Sequence, residues 1–258
     1  MAYKKIIIYG NNLELFEFEK EPKPIPRRSR RSHGSTHASE DIRADGQDTL
    51  SKKQLGKRQD NAKRAHMAFR RIVACNLSGS QSPLLVTLTY KENETDIAVG
   101  YRDYKTFVQS LRYKYGKDFK YICVPEFQKR GAVHFHALFW GLPTEVYVQE
   151  RKTRSLRRSW KRGHVFLKKT DGSNRLSFYL AKYMSKAFID PRLKNKKAYV
   201  ASRNIARPRF LSGTYPIWPI LDDYQVQETS AEFDQEYETQ WLGKCRHRLF
   251  KIPDDGVC

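Results

Sequence analysis

Apolar residues in the middle of the chain form short runs typical of strands and longer segments with helical spacing. Leu84–Tyr90 is rich in apolar and β-branched residues, which predicts a strand. In Tyr101–Tyr115 the apolar positions recur three and four residues apart, and Gly116 then predicts the end of an amphipathic helix. Two further strands are predicted at Tyr121–Phe127 and Val133–Trp140, with a polar turn between them.

Helical spacing also precedes and follows these strands. A helix is predicted over Asp60–Leu77, and a very basic helix over Glu145–Lys161. His164–Lys169 predicts a short strand, and Leu176–Phe188 predicts a helix that ends before Pro191. Strands joined by hairpins and covered by helices indicate an α+β fold, with a central antiparallel β-sheet flanked by helices.

The two ends of the chain lack this regular pattern. We expect residues 1–60 to form a mostly flexible basic N-terminal arm, with Lys4–Tyr9 as a strand that is either docked or free. Asp222–Glu238 contains seven acidic residues and no Lys or Arg, so it is either a solvated tail or a segment that folds back on a basic groove. The chain then divides into this arm, a domain over residues 61–205, and a C-terminal extension with an acidic segment over residues 206–258.

The chain carries a large excess of positive charge. Its 258 residues include 49 Lys and Arg against 28 Asp and Glu, a formal net charge of +21. Such an excess indicates a polyanionic partner, and nucleic acid is the usual one. An anionic membrane surface is the alternative, but no long basic helix with a continuous apolar face supports it.

Several classes of protein are not supported by the sequence. No apolar stretch approaches the roughly 18–20 residues of a membrane span, and the first apolar run is too short for a signal peptide. The four cysteines have no paired spacing, which argues against a disulfide framework or a zinc ribbon. No GxxxxGK(S/T) phosphate-binding loop occurs, which argues against an intrinsic helicase or ATPase. We expect a soluble protein of a reducing compartment, with no membrane partner.

Two histidines and one carboxylate are candidates for a metal site. His134 and His136 are two residues apart in a predicted strand, so both imidazoles lie on one face of the sheet. If Phe127 lies opposite Val133 in a hairpin, Glu126 lies directly across from His134; a shifted register pairs it with His136 instead. Both registers bring one carboxylate and two imidazoles together, a donor set that suits Mg²⁺ or Mn²⁺. The alternative is an ordinary, half-exposed histidine pair.

A second candidate site is a predicted helix that contains the pattern Tyr-x-x-Lys twice. Tyr179, Lys182, Tyr183 and Lys186 fall within a sector of about 100° on a helix, opposite its apolar face. A phenol has a pKa near 10, and both neighbouring lysines and a metal-polarised phosphate favour attack by its phenolate. The alternative is a surface helix with packed tyrosines and solvated lysines.

Three segments together resemble a known family. LVTLTY (85–90), VHFHALFWG (133–141) and YLAKYMSK (179–186) are similar to the motifs of the HUH endonucleases, which initiate rolling-circle replication. The doubled tyrosine resembles their two-tyrosine branch, found in replication initiators of microviruses, filamentous phages and related plasmids. The resemblance covers about residues 80–190, just under half of the chain.

The resemblance implies a role for each matching residue. It implies a ferredoxin-like or RRM-like palm as the nicking domain over residues 61–205, with the histidine pair on a middle strand and the tyrosine helix beneath. It also implies that a host helicase and polymerase assist. The implied roles are metal ligands for Glu126, His134 and His136, nucleophiles for Tyr179 and Tyr183, phosphate or metal-positioning contacts for Lys182 and Lys186, and structural or DNA contacts for Thr87 and Thr89.

A basic insert lies between the metal and nucleophile motifs. Its cations are expected to hold single-stranded or hairpin DNA through phosphate contacts. Trp160 within it either stacks a base or packs in the core. The predicted DNA-binding residues of this insert are Arg151, Lys152, Arg154, Arg157, Arg158, Lys161 and Arg162.

The sequence therefore predicts a metal-dependent DNA nicking and joining enzyme. Tyrosine attack on an origin strand would give a 5′-phosphotyrosine and a free 3′-OH, and so initiate rolling-circle replication. The alternatives are an HUH transposase or plasmid relaxase with the same chemistry, and a non-catalytic basic DNA-binding protein. The expected location is the cytoplasm of the host cell, or the nucleus if the host is eukaryotic.

Overall fold

The chain folds into two antiparallel five-stranded sheets flanked by helices, which confirms the predicted α+β class. The structure is a computed structural model that describes residues 2–23, 52–77, 82–143, 156–170, 190–193 and 196–253. Its strands are β1 Tyr3–Tyr9, β2 Asn12–Phe18, β3 Leu84–Tyr90, β4 Lys120–Phe127, β5 Val133–Trp140, β6 Gly163–Lys169, β7 Val200–Ala201, β8 Arg209–Gly213, β9 Phe233–Thr239 and β10 Gly243–Lys251. Its helices include α1 Lys52–Cys75, α2 Ile97–Tyr115 and α3 Trp218–Asp223.

One sheet, called here the central sheet, contains the strands predicted from the middle of the chain. Its strand order is β6-β3-β5-β4-β7, so β5 lies in the middle. The bounds of β3 and β5 agree with the prediction, and those of β4 and β6 differ by one residue. The predicted helices at 145–155 and 176–188 lie outside the described residues, although residues 156–160 are helical.

Helix α2 covers one face of the central sheet. Tyr104 of α2 lies 5.3 Å from Phe135 and Phe107 lies 6.3 Å from Phe139, measured between ring centroids. The helix begins four residues earlier than predicted, because the Asp96 carboxylate caps it by accepting a hydrogen bond of 2.7 Å from the Ala98 amide. The even-numbered residues of β5, which include the histidine pair, therefore point to the opposite face.

Pro125 is accommodated in β4 without a bulge. The pairing of β4 with β5 runs without interruption from Lys120 to Phe127. On the other side of β4, β7 pairs with Ile122 and Cys123 alone. Pro125 thus lies beyond the paired part of that edge, where a missing N–H breaks no ladder bond.

The second sheet joins both ends of the chain. Its strand order is β8-β1-β2-β10-β9, so the hairpin of β1 and β2 lies between two strands from the C-terminal region. The prediction of a flexible arm over residues 1–60 therefore does not hold for β1 and β2, nor for the part of α1 that precedes residue 60. Residues 24–51 lie outside the described part, and the predicted boundaries at 60/61 and 205/206 stay predictions.

The acidic segment near the C-terminus contains an edge strand. Asp234 on β9 forms an ion pair of 2.5 Å with Arg246 on the neighbouring strand β10. Arg248 of β10 pairs with Glu228 and with Glu17 of β2, each at 2.8 Å. Neither of the predicted alternatives, a solvated tail or a segment folded on a basic groove, describes this arrangement.

Helix α1 contacts both sheets. Its residues Phe69 and Val73 belong to the hydrophobic core of the central sheet, while Arg71 forms an ion pair with Glu14 of β2. Asn76, just beyond the helix, exchanges two hydrogen bonds with the backbone of residue 206. No helix in the described part of the chain is both long and apolar enough to span a membrane.

Candidate functional site

The predicted histidine and carboxylate residues lie on one face of the central sheet. Glu126 of β4 is directly opposite His134 of β5, which is the first of the two predicted registers. Thr89 of β3 and His164 of β6 continue the same row across the sheet. The next row contains His136 and Thr87. The parity of the hairpin thus places the three predicted metal ligands side by side.

The Glu126 carboxylate contacts the diagonal histidine. Its Oε2 lies 3.0 Å from Nε2 of His136. A diagonal contact of this kind is within reach of a long side chain in a twisted antiparallel pair. Both side chains are largely buried, with exposed fractions of 15% for Glu126 and 9% for His136. Since the surroundings contain little water, a charge or an ion placed between them is weakly screened.

Two threonines of β3 hold the imidazole rings. The Thr89 hydroxyl lies 3.0 Å from Nδ1 of His134, and the Thr87 hydroxyl lies 3.4 Å from Nδ1 of His136. The ring centroids are 4.7 Å apart, at 75° to one another. Because Nδ1 of each ring faces a threonine, Nε2 is the nitrogen suited to coordination, and such partners usually orient metal-binding histidines. The sequence analysis missed this orienting role, although the alternation of residues along β3 was a signal for it.

The environment of His134 favours its neutral form. Burial, His136 and Arg130 lower the pKa of His134 to about 4, and they outweigh the opposing effect of the Glu126 carboxylate. A neutral imidazole has a lone pair available for a metal ion. The ring is therefore in the form that coordination requires at neutral pH.

The three side chains fit a divalent cation in their chemistry. Within the residues that the structure describes, no group of three or more His, Cys, Asp or Glu side chains already has its donors arranged for a metal ion. The hydrogen bond between Glu126 and His136 accounts for two of the donors, since a cation would take the place of the shared proton. Two imidazole nitrogens and one carboxylate, with room for water and phosphate oxygens, suit Mn²⁺ or Mg²⁺.

The predicted nucleophile helix is not part of the described structure. Tyr179, Lys182, Tyr183 and Lys186 lie within residues 171–189, outside the described ranges. The predicted DNA-binding residues Arg151, Lys152 and Arg154 also lie outside them. Their positions relative to the histidine pair stay predictions.

The rest of the predicted basic insert lies beside a cleft. Arg157, Lys161 and Arg162 line a depression of about 810 Å³ where β3 ends and β6 begins. Arg162 donates to Asp103 at 2.9 Å, and Asp103 also accepts from the Tyr90 hydroxyl at 2.9 Å. The fourth cation, Arg158, is exposed on the same helical turn as Arg157. These cations lie at the end of the sheet that carries the row of Glu126 and His134.

Two further side chains near the site have roles that the structure makes clear. Trp160 is buried and donates to the backbone oxygen of Thr89 at 3.1 Å, so it packs in the core. Arg130, in the turn between β4 and β5, donates to the backbone oxygens of Tyr90 and Lys91 at 2.6 and 3.3 Å. It fastens this turn to the end of β3, next to His134. The sequence offered no pattern from which this role of Arg130 follows.

Comparison with known proteins relates the middle of the chain to a family. Residues 83–188 are similar to the family described as Replication-associated protein ORF2. The matched range is less than half of the chain, and it includes the segments of Thr87, of the histidine pair and of the two predicted tyrosines. No curated protein and no solved structure matches the chain. The family match supports a role in replication.

Proposed function

We propose that the protein is a metal-dependent DNA endonuclease and strand transferase that initiates rolling-circle replication. The observation that carries this proposal is the face of the central sheet on which Glu126, His134 and His136 adjoin, with both imidazoles held through Nδ1. The similarity of residues 83–188 to a replication-associated family supports the biological setting.

The side chains of this face would hold Mn²⁺ or Mg²⁺ through two imidazole nitrogens and one carboxylate oxygen. When bound, such an ion supplies polarisation of the scissile phosphate. Thr87 and Thr89 keep the rings in one orientation, so little reorganisation is needed when DNA arrives. Neutral His134 offers a lone pair without first losing a proton.

The predicted tyrosines supply the nucleophile in this proposal. A phenolate of Tyr179 or Tyr183 attacks the phosphorus, the bond to the 3′ oxygen breaks, and the 3′-OH leaves with a proton. The 5′-phosphotyrosine conserves the phosphodiester energy, so a later 3′-OH attack reseals the strand and regenerates the phenol. Lys182 and Lys186 contact the phosphate and favour the phenolate form.

The cations beside the cleft would position the substrate. Arg157, Lys161 and Arg162 lie at the end of the sheet nearest the row of Glu126 and His134. They are suited to phosphate contacts with single-stranded or hairpin origin DNA, and such binding falls steeply with salt. A host helicase and polymerase would supply unwinding and synthesis.

The test is covalent capture of DNA. Incubation of the protein with a labelled single strand that contains the origin and Mn²⁺ is expected to give a protein–DNA adduct on a denaturing gel. The double variant Tyr179→Phe/Tyr183→Phe is expected to give none, and His134→Ala/His136→Ala should reduce the adduct strongly. His247→Ala makes the same chemical change in the second sheet and serves as the control. Adduct from the double tyrosine variant would overturn the proposal.

The same assay separates the alternatives. A non-catalytic DNA-binding protein gives no adduct in any divalent metal, and its binding to DNA is insensitive to His134→Ala/His136→Ala. A transposase or plasmid relaxase gives an adduct with a transposon end or a transfer origin in preference to a replication origin. The family match favours replication among these.

A further inference from the structure

The face that carries the candidate metal ligands continues onto the edge strand β6. Because side chains alternate along a strand, His164, Phe166 and Lys168 share this face, while Val165 packs into the core on the other. All three are exposed. Phe166 is 63% exposed, and among the described strands of the central sheet it is the one large hydrophobic side chain that mostly faces solvent.

The register places Phe166 in line with the candidate site. Phe166 is opposite Thr87 of β3, and Thr87 is opposite His136 of β5. Two strand spacings of about 4.8 Å put the Phe166 backbone roughly 10 Å from that of His136. A phosphate held at the metal ligands would therefore have its neighbouring base above β6.

The surroundings of Phe166 are basic. Lys168 is exposed two residues along on the same face, and the segment that leads into β6 carries exposed Arg157, Arg158 and Lys161. An exposed aromatic ring between cations on an open strand is the arrangement that binds single strands, since bases stack on the ring and phosphates meet the charges. The lysines alone would have a simpler use, because charges on an edge strand prevent pairing with other sheets. An exposed phenyl ring works against that use.

We propose that Phe166 stacks a base of single-stranded DNA next to the nicked phosphate and that Lys168 contacts the backbone of the same strand. The inference rests on the proposed nicking function and adds the path of the strand: from the metal ligands on β4 and β5, across β3, to the edge strand β6. Phe166 acts here as a binding residue that sets the position of the strand.

The first experiment measures stacking without chemistry. Binding of fluorescein-labelled dT16 and of an abasic strand of equal length and charge is followed by fluorescence anisotropy, in EDTA and at fixed ionic strength. Phe166→Ala is expected to weaken dT16 binding about 5- to 50-fold and to change binding of the abasic strand less than twofold. Phe166→Trp should restore dT16 binding.

The control is Phe210→Ala. Phe210 is 59% exposed on β8 of the second sheet, so its truncation removes a ring of similar exposure away from the site. It is expected to leave both affinities unchanged. Thermal unfolding of each variant checks the fold, which the loss of an exposed ring should not alter.

The outcomes separate this inference from the proposed function. If wild-type protein forms the covalent adduct but Phe166→Ala leaves dT16 binding unchanged, or weakens dT16 and abasic strands equally, the stacking proposal is overturned and nicking stands. If Phe166→Ala instead converts an oligomer into a monomer by light scattering, the ring serves contact between copies and the proposal also fails. If dT16 binding falls as expected but wild-type protein forms no adduct, the stacking surface stands and the nicking proposal fails.

Discussion

The two sheets of this protein treat their polar side chains differently. In the second sheet, buried charges pair with one another: Arg248 with Glu17 and Glu228, and Arg71 with Glu14. In the central sheet, the partly buried polar groups of β3, β4 and β5 gather on one face beside exposed β6. Paired charges in the second sheet hold distant strands together, whereas the histidines and Glu126 retain the ability to exchange a proton for a cation. We infer that the second sheet is structural and that the central sheet carries the chemistry.

The strongest test of this comparison is the loss of the carboxylate. Glu126→Ala is expected to lower the rate of adduct formation about 10²–10³-fold, since it removes a metal ligand and the partner of His136. The urea midpoint should shift little, because the remaining imidazole is held by Thr87. Single-turnover kinetics with Mn²⁺ measure the first effect, and unfolding followed by circular dichroism measures the second. A large loss of stability with unchanged activity would reverse the roles assigned to the two sheets.

The converse change affects stability. Arg248 is 3% exposed, so Arg248→Ala leaves two carboxylates without their partner and is expected to lower the free energy of unfolding by about 2–3 kcal/mol. Arg246→Ala is the matched control, because its ion pair with Asp234 is exposed and should contribute less than about 1 kcal/mol. Urea titrations of both variants measure the difference. Equal effects would mean that burial of Arg248 adds nothing.

A smaller effect is expected from the threonines. Thr89→Val keeps the shape of the side chain and removes the hydroxyl that holds His134, so Mn²⁺ affinity should fall about tenfold. Thr87→Val should have less effect, since its hydroxyl lies farther from the imidazole of His136. Thr89→Ser is expected to retain affinity. Isothermal titration with Mn²⁺ measures all three, and an equal affinity for Thr89→Val and wild type would refute the orienting role.

The smallest effect is a pH dependence in the second sheet. Burial lowers the pKa of His247, whose ring stacks on Phe16 at 4.1 Å. Below the unfolded value of about 6.5 the unfolded chain binds a proton before the folded one does, so stability declines as pH falls through that value. His247→Phe should make the unfolding temperature less dependent on pH between about 7 and 5. An unchanged slope would contradict the role of this ring.

The central sheet was predictable because its information is local. The β4–β5 hairpin spans neighbouring residues, and its parity alone restricts Glu126 to the face of His134 and His136. The choice between the two registers, and the diagonal contact of Glu126 with His136, required the structure. Thr87 and Thr89 were placed in the first motif, but their pairing with the imidazoles depends on β3 lying beside β5, and Thr89 and His134 are 45 residues apart in the chain.

The second sheet was not predictable in the same way. Its strands carry charges where an alternating pattern would place apolar residues, because Glu14 and Glu17 are compensated by Arg71 and Arg248, 57 and 231 residues away. A window of ten residues contains neither partner, so β2 does not read as a buried strand. The acidic composition of β9 was equally misleading, since Asp234 is matched by an arginine on the neighbouring strand.

The order of residues along the chain is sufficient for the α+β class, the strands and α2 of the central sheet, and the set of metal-ligand candidates, because short-range periodicity encodes them. The pairing of the two chain ends, the burial of compensated charges, and the alignment of Phe166 with Thr87 and His136 depend on contacts between residues far apart in sequence. Such contacts form when hydrogen-bonded strands and opposite charges meet in three dimensions, and no local pattern specifies which distant partner each residue will find.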